Sequence, residues 1–468
     1  MNKENAFQEN NPSQEPGLKA REMAVQVLKE IEEKNAYANL AINKVLNRSS
    51  FPGVQRALLT ELVYGTIQRL NTLDWVLSLF LSQPLGKFTP WIRSILRLGA
   101  YQILYLDRVP DSAAVDESVK LAKKFGHKGV AGLTNAVLRK VSSEKEQLPW
   151  PCKENEEEYL SLHYSYPPWI IRRWLSLLGF EDTEALCIAG NAVPPLTVRT
   201  NTLRISRQEL KQKLLEEGVK ARECHYTTEG LHLSLDGKLS GLKSFQEGLF
   251  QVQGESSMLV STLLNPQPGE FILDLCSAPG GKTVHMAMLM QNQGKIMASD
   301  LYAQRLRLVN EAAERQGVSI IHTKRLDGRN IPSALKGSFD RALLDVPCSG
   351  LGVIRRKGDL KWKRVPEDIT SLKLLQAELL KEAYSAIKPG GVLVYSACTL
   401  EPEETDQVIA DFISEEKSSS PALLSPLLPQ ELQNAETGEG IVKLWPHKHD
   451  LDGFFIAKIR KNGQLPHG

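Results

Sequence analysis

Cysteine is scarce in this 468-residue chain, and none of the six forms a C-x-x-C pair. Cys152, Cys187, Cys224, Cys276, Cys348 and Cys398 lie far apart with no apolar leader before them. This excludes a disulfide scaffold and a zinc ribbon, and it predicts reduced thiols in a cytoplasm with no metal. Long hydrophobic runs are missing too. The nearest, Trp75 to Leu81, is cut by Ser78 and followed by Ser82 and Pro84, short of the roughly 18 residues that cross a membrane. Charge of one sign is absent: 57 Lys and Arg against 55 Asp and Glu leave +2, so any surface for nucleic acid must be local. There is no internal repeat, no G-x-G-x-x-G and no G-x-x-x-x-G-K-[ST], which argues against a dinucleotide fold and excludes a P-loop.

What is present reads as several modules, because the length corresponds to about three ordinary domains. Residues 1–16 are polar and nearly without core-forming side chains, which predicts a disordered tail. Over 17–143 apolar residues recur at three- and four-residue spacing (Met23, Val27, Ile31; Leu58, Leu62; Ile95, Leu98), so this region is expected to be all helical. The charged, proline-broken stretch 144–158 reads as a linker. Residues 159–245 read as a small α+β module, with a helix near Trp169–Leu178, a strand near Leu196–Leu203 and a helix over Ser206–Gly218. From 246 to 468 apolar strands alternate with amphipathic helices, the pattern of a parallel α/β sheet, with a long loop over Ser414–Gly440 and a last strand in HDLDGFFIAKIRK.

Ligands of such sheets bind beyond the carboxyl ends of the strands. The expected strands end in Asp274-Leu-Cys-Ser-Ala-Pro-Gly-Gly-Lys282, Asp300, Asp345-Val-Pro-Cys348 and Ser396-Ala-Cys-Thr399, with Asp327 after the third. Glycines 280 and 281 at a helix start let backbone N–H groups approach a ligand. A carboxylate at 300 has the position of one that accepts from ribose hydroxyls. Together they point to a nucleoside cofactor without a pyrophosphate, a description that S-adenosylmethionine fits. Asp327 is placed to meet the adenine amino group.

Cysteines suggest the reaction. Cytosine C5 is a poor nucleophile, and adding a thiolate at C6 activates it toward a methyl sulfonium. A site for this needs a reactive thiol, an acid at the ring N3 and a base near C5. Asp345, Cys348 and Cys398 supply those types at one rim, and the sequence chemistry leaves open which thiol attacks. The segment Arg355, Arg356, Lys357, Lys361, Trp362, Lys363 and Arg364 interleaves basic groups with an aromatic ring, as surfaces that hold RNA backbone and stack a base do.

These residues carry a resemblance. LDLCSAPGGKT (273–283), DVPCSGLGVIRRKGDLKW (345–362), YSACTLEPEE (395–404) and LWPHKHDLDGFF (444–455) resemble the RsmB branch of RNA cytosine-C5 methyltransferases, which act on cytosine 967 of 16S rRNA. The match runs from about Lys19 to Lys461. QRALLTELVYGTIQR (55–69) resembles the NusB-type RNA-binding helical domain fused to that branch. The resemblance implies an all-α NusB-like domain, a small α+β RNA-binding module and a Rossmann-like class I methyltransferase domain. It implies that Cys276, Ser277, Ala278, Pro279, Gly280, Gly281, Lys282, Asp300, Arg305, Asp327 and Asp345 meet S-adenosylmethionine or line its pocket. Cys398 would be the nucleophile and Cys348 would assist release, with Lys282 and Asp345 supporting the site and 16S rRNA as partner of a monomer. Two positions depart from the family pattern: Gly254 stands where an acidic residue is usual, and Ala397 where threonine is. The rivals are a non-catalytic RNA-binding factor and the same chemistry on transfer RNA or another ribosomal site.

Overall fold

The computed structural model describes residues 16–48, 51, 53–235 and 237–463. The polar tail expected over 1–16 falls outside these except for Pro16, which opens the first helix. The chain divides into two compact units, Met1–Cys187 with Lys357–Lys363, and Ile188–Arg356 with Arg364–Gly468. Among the described residues no helix is long and apolar enough to cross a membrane.

The first unit is helical. Pro16–Lys34, Gly53–Gln68, Leu70–Phe80, Pro90–Tyr105, Asp111–Phe125 and Lys128–Glu144 turn their apolar faces onto one core containing Val27, Leu59, Leu62, Leu73, Ile95, Leu98 and Leu138. Residues 144–158, expected to be a linker, instead pack within this unit. Leu148 is buried, and the Trp150 ring lies 4.7 Å from Trp75 and 4.5 Å from His163 between centroids. The helices Glu156–His163 and Pro168–Asn191 follow. Thr72 Oγ1 donates to the Leu162 carbonyl at 2.6 Å, and Asn71 Nδ2 to Ser161 Oγ at 2.9 Å. These bonds carry the unit on to Cys187. The strap Lys357–Lys363 completes it: Ala38 N–H donates to Asp359 Oδ2 (3.0 Å) and Trp362 Nε1 donates to the Ile67 carbonyl (2.7 Å). Trp362 and Lys363 line a cavity of about 220 Å³ with Leu28, Ile67 and Arg97.

The second unit holds two sheets. The smaller is antiparallel, in the order β2-β3-β1-β4, with β1 Leu196–Thr200, β2 Lys220–Glu223, β3 Gly230–Ser234 and β4 Phe250–Val252. The helix Arg207–Glu216, capped by Ser206 and Glu209 in a capping box, packs Leu210 and Leu214 against Val198, Leu231 and Phe250. β4 lies beyond residue 245, the expected end of this module, because Phe250 belongs to its core and Val252 pairs with Val198.

The larger sheet comprises β5 Phe271–Asp274, β6 Lys295–Asp300, β7 Ile321–Arg325, β8 Phe339–Asp345, β9 Ile387–Ala397, β10 Ser419–Pro421, β11 Glu436–Gly438, β12 Ile441–Leu444 and β13 Phe454–Lys461. Its order is β7-β6-β5-β8-β9-β13-β12-β11, with β10 on β13. β5 to β9 are parallel, and β13 joins β9 antiparallel. Leu273, Leu344, Leu393, Tyr395 and Phe455 fill the core on one face. Part of the stretch Ser414–Gly440, expected to be a loop, forms β10, which pairs with β13, and β11, which pairs with β12, and Leu424, Leu432 and Ala435 between these strands are buried. The chain runs β5, β6, β7 to one side and returns to β8 on the other. That reversal is where doubly wound sheets open a crevice at their carboxyl edge.

Candidate active site

β5 ends in Asp274, whose side chain is 1% exposed. Thr283 Oγ1 donates to its Oδ2 at 2.7 Å, and Oδ1 has no partner among the described residues. Burial raises this carboxyl from 3.8 to about 7. The turn that follows is pinned to β6: Ser277 N–H and Oγ both donate to the Ser299 carbonyl, at 2.8 and 3.0 Å. Gly280 has φ +99°, and a Cβ there would stand 2.9 Å from the Val309 backbone, so only glycine fits without strain. The helix Gly281–Leu289 starts immediately after it.

Asp300, at the end of β6, accepts from Tyr302 N–H at 3.0 Å and pairs with Arg305 at 3.2 Å. Arg305 also donates to the Ala278 carbonyl at 3.3 Å, closing the turn from outside. Cys276 is half-buried, and its thiol is pushed up by burial and then by Asp274 and Asp345. Asp327 follows β7 at the same rim, where Leu326 N–H donates to the Asp300 carbonyl at 3.2 Å; its carboxylate is taken up by Arg329 at 2.7 Å, which pulls it down to about 2.

The two ends of β8 and β9 bring the remaining groups together. Lys282 Nζ donates to Asp345 Oδ2 at 2.7 Å and Ser396 Oγ to Asp345 Oδ1 at 2.7 Å. The Lys282 ammonium also lies 5.3 Å from the Phe454 ring centroid. Cys348 Sγ and Cys398 Sγ are hydrogen-bonded at 3.2 Å, free of any disulfide and half-buried. The Cys348 thiol is raised well above its ordinary value, first by its hydrogen bond with Cys398, then by burial and by the charges of Cys398, Glu404 and Asp345. The loop carrying Cys348 is held by buried Glu404, which accepts from Ser349 N–H (2.8 Å) and Gln376 Nε2 (3.0 Å). Arg364 donates to the carbonyls of Ser349 (2.8 Å) and Cys348 (3.2 Å).

Thr283, Ser396 and Glu404 were not among the residues singled out from sequence. Each sits inside a quoted motif, so the signal was there; Thr283 bonds Asp274 of its own motif, whereas the partners of Ser396 and Glu404 come from distant segments. Arg199, also missed, donates from β1 to the Gly281 carbonyl at 2.7 Å.

The basic and aromatic run divides differently from the expectation. Arg355 and Arg356 are tied to Asp452 at 2.8 and 2.6 Å, and Arg355 also to Asp450 at 3.1 Å. In the helical unit, Lys363 donates to Asn35 and Trp362 to Ile67. Lys361 is fully buried with its ammonium 4.0 Å from the Tyr166 ring centroid. In this arrangement Lys361 cannot reach a phosphate, which corrects the reading of the whole run as an RNA surface. Lys357 is exposed.

Cys224, His232 and Glu255 bring one potential metal-ligand atom each within 4.8 Å of one another. Glu255 Oε1 already accepts from Tyr226 N–H and, at 3.4 Å, from Thr227 Oγ1, which accounts for its burial as a turn cap.

Three family models match in chain order: NusB over residues 18–143, a ferredoxin-like domain of the RsmF/B methyltransferases over 166–239, and 16S rRNA methyltransferase RsmB/F over 261–460. A Bacillus subtilis protein named probable ribosomal RNA small subunit methyltransferase B is 39% identical over 446 residues, covering 95% of this chain and 99% of the relative. The chain belongs to the RsmB/F family of 16S rRNA methyltransferases. A Klebsiella pneumoniae ribosomal RNA small subunit methyltransferase B is 34% identical over 95% of this chain and 98% of its own. Among solved structures, that of PH0851 superposes with a TM-score of 0.81 at 28% identity, covering 96% of this chain and 99% of that one. NSun6 from Pyrococcus horikoshii, solved with SFG, gives 0.55 at 27% identity over 62% of this chain and 97% of its own. The NusB-like helical domain and the Rossmann-like methyltransferase domain expected from the sequence are those of this RsmB/F member, and the module expected only as a small α+β fold is its ferredoxin-like domain.

Proposed function

We propose that this protein is a cytoplasmic S-adenosylmethionine-dependent enzyme that methylates C5 of one cytosine of 16S rRNA, the equivalent of cytosine 967, through a covalent Cys398 intermediate. The observation that carries the reading is the Cys348 and Cys398 thiols at 3.2 Å beside an Asp345 carboxylate held by Lys282 and Ser396. A scaffold protein has no need of two thiols and a half-buried ion pair at a sheet's ligand-binding edge.

The residues of the turn fit the cofactor. Gly280 and Gly281 keep side chains away from the backbone there, Asp300 offers a carboxylate at the next strand end, and Asp274 Oδ1 is a buried acceptor with no partner among the described residues, suited to a cationic donor. NSun6 was solved with SFG, an analogue of this cofactor. When bound, S-adenosylmethionine supplies an electrophilic methyl group on a sulfonium.

The family resemblance assigns Cys398 as the thiol that adds to C6 as a thiolate, with Cys348 beside it at 3.2 Å and raised by that contact and by burial. As the ring takes up negative charge, N3 receives a proton passed from the Lys282 ammonium through Asp345, and the proton returns by the same route when the Cys398–C6 bond breaks. Once Cys398 is bonded to C6, the negative partner that raised Cys348 is gone. Cys348 then ionises more readily, loses its proton to water and as a thiolate accepts the C5 proton, after which the Cys398–C6 bond breaks and restores the thiolate. The cytosine must leave any stack to reach this edge, so a loop or partly assembled RNA is the substrate.

The test is incubation with labelled S-adenosylmethionine and unmodified 16S rRNA, followed by mapping of 5-methylcytosine at nucleotide resolution. A single mark at the 967-equivalent supports the assignment. A mark elsewhere, or on transfer RNA, moves the substrate; no transfer to RNA or to ribosomal particles despite cofactor binding overturns the enzymatic reading.

A further inference from the structure

We propose that Arg199 is a positioning residue for the cofactor, holding the Gly281–Lys282 peptide, and with it the glycine turn, from the neighbouring ferredoxin-like module. This rests on the cofactor site described under Proposed function.

Arg199 lies in β1, the strand between β3 and β4, opposite Gly230 and Gln251. It heads the fully buried side chains by volume. Burying a guanidinium is costly, and an apolar side chain of the same length fills such a space with less penalty. The charge therefore needs a reason, and its contacts supply one. Nη1 donates to the Gly281 carbonyl at 2.7 Å and to Gln253 Oε1, and Nη2 to Gln316 Oε1 at 3.4 Å. Burial pulls the guanidinium down to about 9, with Glu229 acting in the opposite sense, so it stays protonated at neutral pH.

The Gly281 carbonyl belongs to the peptide that leads into Lys282, whose ammonium holds Asp345. It is also the last peptide of the turn that begins at Cys276. A guanidinium locked by two glutamines leaves this carbonyl one position. A second tie acts on the same helix: His285 Nε2 lies 3.0 Å from Glu229 Oε1, and Glu229 precedes β3. Arg199 touches none of the groups proposed to react, so its effect has to pass through the turn.

The test compares Arg199→Lys and Arg199→Met with wild type in three measurements: thermal melting, S-adenosylmethionine affinity by calorimetry, and steady-state KM for cofactor and for an unmodified 16S rRNA fragment. Lysine keeps the charge but offers one ammonium for three acceptors, so it serves as the folding control if the methionine variant does not fold. Loss of a charge-assisted bond to a carbonyl predicts cofactor affinity weaker by about tenfold or more in Arg199→Met, an intermediate loss in Arg199→Lys, and KM for RNA within about twofold of wild type. Cofactor affinity equal to wild type in a folded Arg199→Lys overturns the inference. So does a matched fall in cofactor binding, RNA binding and melting temperature, which marks a merely structural residue. If wild type itself binds no cofactor, the site reading fails and takes this inference with it.

Discussion

Replacing Asp274 by asparagine should make the cofactor-free protein resist unfolding better at pH 8 while weakening its grip on cofactor. Thr283 donates to one oxygen of this carboxyl and, among the described residues, none donates to the other. Its folded-state value of about 7 lies above the ordinary 3.8, so the folded state holds the proton more tightly than the unfolded chain. Its contribution to stability is intact below about pH 4 and is lost as pH rises through 7. At 1.36 kcal/mol for each tenfold change, the loss between pH 5 and pH 8 is about 3 kcal/mol. Asparagine keeps an oxygen for Thr283 and carries no charge, so the variant lacks that pH-dependent loss. The buried amide N–H groups that it introduces cost about 1–3 kcal/mol at every pH and leave the slope untouched. The assay is urea unfolding of both proteins, without cofactor, at pH 5, 6.5 and 8. The wild type should weaken relative to Asp274→Asn by about 3 kcal/mol across that range. Curves that stay parallel from pH 5 to 8 refute the reasoning. Calorimetry should show the opposite ranking for cofactor, with wild type binding more tightly at pH 8 than at pH 6.

Three further outcomes are expected. Cys398→Ala should lose methyl transfer by at least about a thousandfold in single-turnover assays while binding cofactor as wild type does, since alanine offers no nucleophile to form the covalent bond to C6; full activity sinks the nucleophile assignment. Cys348→Ala should accumulate a denaturation-resistant RNA adduct on gels, and its absence questions the role in release. Lys361→Met should leave RNA affinity unchanged because the ammonium is buried over Tyr166, whereas Lys357→Ala should weaken binding and lower the salt slope by about one.

The strand-end residues were legible from sequence because a parallel sheet puts the residue after each apolar run at one edge, so Asp274, Asp300, Asp345 and Cys398 could be grouped before any coordinates. Their wiring was not legible. Ser396 reaches Asp345 across the β8–β9 pairing, and Arg199 reaches Gly281 from another sheet; neither separation leaves a spacing pattern. The basic run 355–364 misled for a related reason. Composition counted its charges but not Asp450 and Asp452, which arrive from the far end of the chain to pair Arg355 and Arg356. The stretch 144–158 looked like a linker because charge and proline dominate it, while the contacts that order it, Leu148 in the core, Trp150 against Trp75 and Lys145 on Asp111, are made with residues distant in sequence. The single buried guanidinium of β1 was hidden by the habit of reading Arg as surface.

The strap Lys357–Lys363 has a consequence for biosynthesis. Helices up to Cys187 leave the ribosome long before Asp359 and Trp362 are made, a wait on the order of ten seconds at bacterial synthesis rates. Until then Ala38 N–H lacks its carboxylate, the Ile67 carbonyl lacks its indole, and the cavity beside Leu28 lacks one wall. The nascent helical unit therefore matures only after the loop bearing Cys348 has been translated. A fragment cut at Cys187 corresponds to that immature intermediate, and adding a peptide that spans 357–363 in trans is the natural way to complete it.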